Sequence, residues 1–142
     1  MCQRAEVSLE CDPRSVSVGR RWVAQSLLLW EVADEDPART SLDDLTLVTS
    51  ELLANAVVAC YERVVLALEA HRDHVIVTVR DDSPHPASAR RAHRHATGGR
   101  GLAIVASLAE RWGQTDYDGA TKDVWASIHI EPGSVLARKC EL

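Results

Sequence analysis

The chain has 142 residues, which fits one domain spanning 1–142. A domain of this size can bury about two-thirds of its unfolded surface without covalent staples. With 46% hydrophobic and 26% charged residues and a formal net charge of −5, the composition excludes a disordered chain. It also argues against a direct nucleic-acid binder, whose phosphate-facing surface needs an excess of Lys and Arg.

Cysteines stand at Cys2, Cys11, Cys60 and Cys140 with no C-x-x-C pair. Cys60 ends an apolar run, where a free thiol behaves as a small hydrophobe, so neither a disulfide framework nor a zinc site is expected. A reducing cytoplasm is the expected compartment. The N-terminal "MCQRAEVSLECD" lacks the apolar stretch of a signal peptide, and no run approaches the ~18 apolar residues of a membrane span.

In chain order, "RAEVSLE" alternates and reads as a strand. "DPRSVSVGRRWVAQSLLLWEV" reads as a helix, with Asp12 as cap, Pro13 in the first turn, and Val16, Val23, Leu27 and Trp30 sharing a face. After the polar "ADEDPARTS", a second helix is expected from about Ser41 to Cys60. "RVVLALEA" and "HVIVTVR", separated by "HRD", read as a hairpin. "DDSPHPASARRAHRHATGG" has no apolar period and reads as a long loop. "RGLAIVASLAERWG" reads as a third helix with Trp112 on its apolar face and Gly113 as its stop. "QTDYDGATKDVWASIHI" closes the chain as a second hairpin. The order predicts a two-layer α/β sandwich, helices on one face of a mixed, mostly antiparallel sheet.

Within the second helix, "SELLANAVVAC" carries Glu51 and Asn55, four residues apart and so on one side of an otherwise apolar element. The core stripe is Leu45, Val48, Leu52, Ala56 and Cys60, with the polar pair at its margin. A buried carboxylate needs a partner, and a backbone amide, Arg80, Arg100 or water would each serve. Two further features add to this one. The run "VIVTVR" opens into Asp81-Asp82-Ser83-Pro84, either a capped turn or carboxylates presented at a strand end. In "TGGRGLAIV", glycines precede and enter a helix, so its N–H groups can face an anion, although a flexible hinge has the same pattern.

Taken together, these motifs resemble the GHKL ATPase superfamily, and within it the small stand-alone anti-sigma-factor serine/threonine kinases of actinobacterial type. "VGRRWVAQSLLLW" looks like their first helix and "LVTSELLANAV" like their N box. "VTVRDDSP" and "GGRGLAIVASLAERWG" resemble the two glycine boxes, and "KDVWASI" the last strand. The resemblance implies a Bergerat-type ATP-binding fold that uses ATP and Mg²⁺. It also implies binding and silencing of a sigma factor, phosphorylation of an anti-anti-sigma (STAS-type) protein, and a homodimer.

By the same resemblance Glu51 is the catalytic base, Asn55 the Mg²⁺ ligand, and Asp81 the acceptor for the adenine amino group. Ser83 stands at the glycine of the first box, and Gly99, Arg100, Gly101 and Leu102 form the phosphate-facing helix start. The loop residues Arg90, Arg91, Arg94 and Arg100 would suit a polyphosphate lid, or simply a solvated basic loop. His93 and His95 have no further ligand nearby in sequence to complete a metal site. Where relatives read K-T-V-W, with the threonine at the adenine edge, this chain has Asp123; an ionised aspartate there is expected to repel Asp81 and weaken nucleotide binding. The alternative is a non-catalytic module that keeps the fold and sequesters a regulatory protein without phosphotransfer. A metabolic ATPase is disfavoured because no second domain is evident to use the energy.

Overall fold

A computed structural model describes residues 3–30, 36–83, 99–117 and 121–130. Eight elements follow in order: β1 (Gln3–Glu10), α1 (Ser15–Leu29), α2 (Asp36–Ala59), β2 (Arg63–Ala70), β3 (His74–Asp81), α3 (Gly99–Leu108), β4 (Arg111–Tyr117) and β5 (Thr121–His129). The strands form one five-stranded sheet in the order β1-β2-β3-β5-β4. Every pairing among the described residues is antiparallel, where a mixed sheet was expected.

Alternation along the strands decides which side is core. Val64, Leu66, Leu68 and Ala70 of β2 and Val75, Val77 and Val79 of β3 are all essentially buried beneath the helices. Opposite them on β5, Ala126 and Ile128 complete the row. From the helices, Val23 and Leu27 of α1 and Leu45, Val48, Leu52, Leu53 and Ala56 of α2 fill the second layer. Burial of this kind contributes about 25 cal/mol per Å² of apolar surface and is the main term holding the two layers together.

Gly19 fixes how α1 lies on the rest. A Cβ at this position would run into Leu53 and come within 3.2 Å of Leu66 and 3.3 Å of Leu9. The missing side chain therefore lets α1 approach α2 and the sheet together. The turn into α1 is held by Asp12, whose carboxylate accepts from the Arg14 backbone N–H (2.8 Å) and guanidinium (2.9 Å). The Arg14 side chain, then its backbone amide, hold the Asp12 pKa down at about 2.

Three expectations are corrected. Helix α2 begins at Asp36 rather than Ser41, because Pro37 is compatible with a first helical turn and "DPART" extends the helix instead of interrupting it. Helix α3 ends at Leu108. Arg111 to Tyr117 then pair with β5, so Trp112 belongs to a strand and not to the helix face. Gly113 is not a helix stop: it lies opposite Trp125, and a Cβ there would come within 3.0 Å of the indole ring. Finally, Cys11 and Cys60 form a disulfide with Cα atoms 5.9 Å apart. They are not free thiols, because the β1–α1 turn lies against the end of α2, where Cys11 N–H also donates to Glu62 O (3.0 Å). Cys2, Cys140, Pro84, His93, His95 and the loop arginines before Gly99 lie outside the described residues. Among the described residues no helix is long and apolar enough to cross a membrane.

Candidate functional site: a helix, a strand end and a glycine-led helix

Helix α2 presents Glu51 and Asn55 beside its core stripe. Asn55 is buried (8% exposed) and Glu51 half-buried. The other polar residues on this part of the helix are satisfied within it: the Thr49 hydroxyl donates to Leu45 O (2.7 Å) and Ser50 to Thr46 O (3.0 Å). Glu51 and Asn55 face the start of α3 instead. A Cβ on Gly101 would lie 2.9 Å from Glu51 Oε2, 3.5 Å from Asn55 Oδ1 and 3.7 Å from Asn55 Nδ2. Only glycine allows so close an approach, so the N-box pair and the second glycine box meet at one point. The first turn of α3 contains no acidic residue, so none of its own side chains offsets the positive end of the helix dipole, which suits an anion.

Asp81 closes the apolar row of β3. It is 1% exposed, and one carboxylate oxygen accepts from Ser83 N–H at 3.0 Å. Ser83 is itself buried, so the turn after β3 fixes the carboxylate. Asp82, next in sequence, points the other way. Its carboxylate accepts from the backbone N–H groups of Tyr61 (2.6 Å), Glu62 (2.9 Å) and Arg63 (3.1 Å). Partial burial raises its pKa, but these three amides outweigh it and hold the carboxyl below the usual range. The adjacent carboxylates therefore differ in place: Asp82 anchors the α2–β2 turn, and Asp81 lies at the buried end of β3.

The register of β3 against β5 places the remaining charges. Asp81 lies opposite Lys122, and Arg80 opposite Asp123. Lys122 thus joins Asp81 on the helix side, Nζ 3.8 Å from Oδ2, with both side chains buried. Asp123 emerges on the far side of the sheet, where Arg80 holds it. There it lines a hollow with Arg4, Glu6, Glu69 and Thr78. The expected repulsion between Asp123 and Asp81 is absent because strand alternation puts the sheet between them.

The structure therefore brings Glu51, Asn55 and Gly101 together, sets Asp81 and Ser83 at the end of β3, and separates Asp123 from them. Leu102 is half-buried beside Gly101. Gly99 and Arg100 start the helical backbone of α3, while the Arg100 side chain lies outside the described residues. Lys122 was missed by reading the sequence. Its place follows from the register of β5 against β3, two strands that no hairpin joins, so the sequence held no local signal for it.

A buried strand-end carboxylate, a carboxamide-bearing helix and a glycine-led helix start, all on the covered side of an antiparallel sheet, define an ATPase-type nucleotide-binding domain. The family described as the histidine kinase-like ATPase domain matches residues 9–128, and the chain belongs to it. It is accordingly an ATP-binding domain of the GHKL superfamily. Comparison with curated proteins gave no match. The residues present fit ATP with Mg²⁺: Gly101 brings the start of α3 against Glu51 and Asn55, and Asn55 carries the hard oxygen donor that Mg²⁺ prefers.

Proposed function

We propose that this protein is an anti-sigma factor and ATP-dependent protein serine/threonine kinase. It sequesters a sigma factor and is relieved by an anti-anti-sigma (STAS-type) protein that it phosphorylates. The observation that carries the kinase part is the convergence of Glu51 and Asn55 on Gly101 at the start of α3. The protein partners and the homodimer rest on the motif resemblance alone, and the expectation of a reducing cytoplasm loses its cysteine argument to the Cys11–Cys60 disulfide.

Glu51 takes the proton from the attacking serine or threonine hydroxyl. The hydroxyl oxygen bonds to the terminal phosphorus of ATP as the bond to the bridging oxygen breaks, and ADP leaves. Asn55 would hold Mg²⁺, which would supply positive charge beside the phosphates. Gly99 to Leu102 offer backbone N–H groups to those phosphates, with Arg100 as a further contact. Asp81 accepts from the adenine amino group, with Ser83 holding its carboxylate in place.

The alternative is a non-catalytic binding module; Asp123, held on the opposite face by Arg80, lends it less weight than its place beside Lys122 suggests. Calorimetric titration with ATP and ADP, with and without Mg²⁺, tests the nucleotide site, with Asp81→Ala as the control that loses binding. Glu51→Ala should keep ATP binding and lose transfer to a STAS-type substrate, and Asn55→Ala should weaken Mg-ATP itself. Undiminished phosphotransfer by Glu51→Ala would sink the general-base assignment.

A further inference from the structure

Lys122 has no role in the reading above, yet its position is unusual. On the helix side of β3 and β5 the row runs Val75, Val77, Val79 and Ile128, Ala126, Val124, all apolar, and ends in Asp81 opposite Lys122. The side chains of this terminal pair are 1% and 4% exposed. An ammonium removed from water costs several kcal/mol unless it is well compensated. The 3.8 Å between Nζ and Oδ2 is ionic contact, longer than the 2.7–3.2 Å of an N–H···O hydrogen bond. Asp81 and Lys122 thus stand side by side at the end of this row, an acceptor next to a donor on the helix side of the sheet.

We propose that Lys122 is a specificity-determining residue that reads the nucleobase together with Asp81. Its ammonium donates to the ring nitrogen N1 that neighbours the exocyclic amino group, while Asp81 accepts from that amino group. The ligand class is a 6-aminopurine nucleotide, whose edge presents a donor beside an acceptor and so complements the carboxylate and the ammonium together. The inference rests on the ATP-binding reading and adds to it a second base contact supplied by the protein itself.

The test compares ATP with 1-deaza-ATP, in which N1 is replaced by C–H and the amino group is kept. Dissociation constants are measured by calorimetry for the wild-type protein and for Lys122→Met and Lys122→Gln. Wild type should bind 1-deaza-ATP about tenfold or more weakly than ATP, the scale of a hydrogen bond to a charged donor. Lys122→Met should weaken ATP and abolish the difference between the two ligands, and Lys122→Gln, which keeps a neutral donor, should restore part of it. Equal wild-type affinity for the two ligands overturns the proposal, and so does a full ratio retained in Lys122→Met. Because the wild-type comparison needs no variant, failure of Lys122→Met to fold does not protect the idea. A wild-type protein that binds no ATP at all overturns the nucleotide reading, and this proposal with it.

Discussion

Arg80 holds Asp123 by two parallel hydrogen bonds, Nε to Oδ1 at 2.7 Å and Nη2 to Oδ2 at 3.0 Å, across neighbouring strands on the side of the sheet away from the described helices. The aspartate that the sequence suggested would disturb the nucleotide site is thus occupied elsewhere. Asp123→Thr, which restores the residue usual in relatives, should leave ATP affinity within about threefold of wild type. The lost pair, half-exposed on the arginine side, should cost about 1 kcal/mol of stability. Calorimetry and thermal unfolding on one preparation separate the two effects. A tenfold change in ATP affinity would show that the sheet does not insulate the two faces.

Gly101→Ala places a methyl carbon 2.9 Å from Glu51 Oε2, closer than the two atoms can stay. Because that oxygen ends a flexible side chain, Glu51 can swing away, and the helix gains from replacing glycine. Stability should therefore change by less than about 1 kcal/mol while phosphotransfer falls by about tenfold or more, since catalysis tolerates misplacement poorly. Chemical denaturation and a phosphotransfer assay read the two quantities. A variant as active as wild type would show that the Glu51 position seen here is not needed for the chemistry.

The Cys11–Cys60 disulfide closes a loop with a sequence separation of 49, which in the chain-entropy account is worth about 4 kcal/mol. Dithiothreitol, or the Cys11→Ser/Cys60→Ser double variant, should lower the unfolding midpoint measurably. Both treatments should give the same new midpoint, and reductant should then have no further effect on the variant. An unchanged midpoint would mean that the bond adds nothing in solution.

Asp82 supplies a pH dependence whose sign is fixed. Its pKa in the folded protein is depressed, with the amides of Tyr61, Glu62 and Arg63 outweighing desolvation. The stabilisation is therefore complete above the unfolded value, ~3.9, and is lost as pH falls through the lower folded value. Asp82→Asn should be less stable than wild type at neutral pH and lose less on acidification below pH ~4. Urea midpoints across an acid series check this, and identical acid limbs for the two proteins would refute the assignment.

Much of the fold was legible because its signals are local. β2 and β3 alternate with few interruptions, and the stripe from Leu45 to Ala56 has helical period, so burial of those positions followed directly. The Glu51–Asn55 pair was legible for the same reason, being polar where the period demanded apolar residues. What sequence reading missed depends on contacts between distant segments. Gly113 looks like a helix stop until Trp125 is seen to occupy the space beside it. The Cys11–Cys60 bond depends on where the β1–α1 turn lands, which no spacing of cysteines encodes. Asp123 was misjudged because its face depends on the register of β5 against β3, and a shift of one residue reverses every side chain.

The bond between Cys11 and Cys60 also makes the whole of α1 and α2 part of a covalent ring. A protease that cuts the backbone anywhere inside that ring opens a circle and does not sever the molecule. The N-terminal strand and the helix bearing Glu51 and Asn55 stay tethered until a reductant releases them. Identity of a nicked chain on a non-reducing gel with the uncut one, and its separation into two bands after reduction, is the signature of that connectivity.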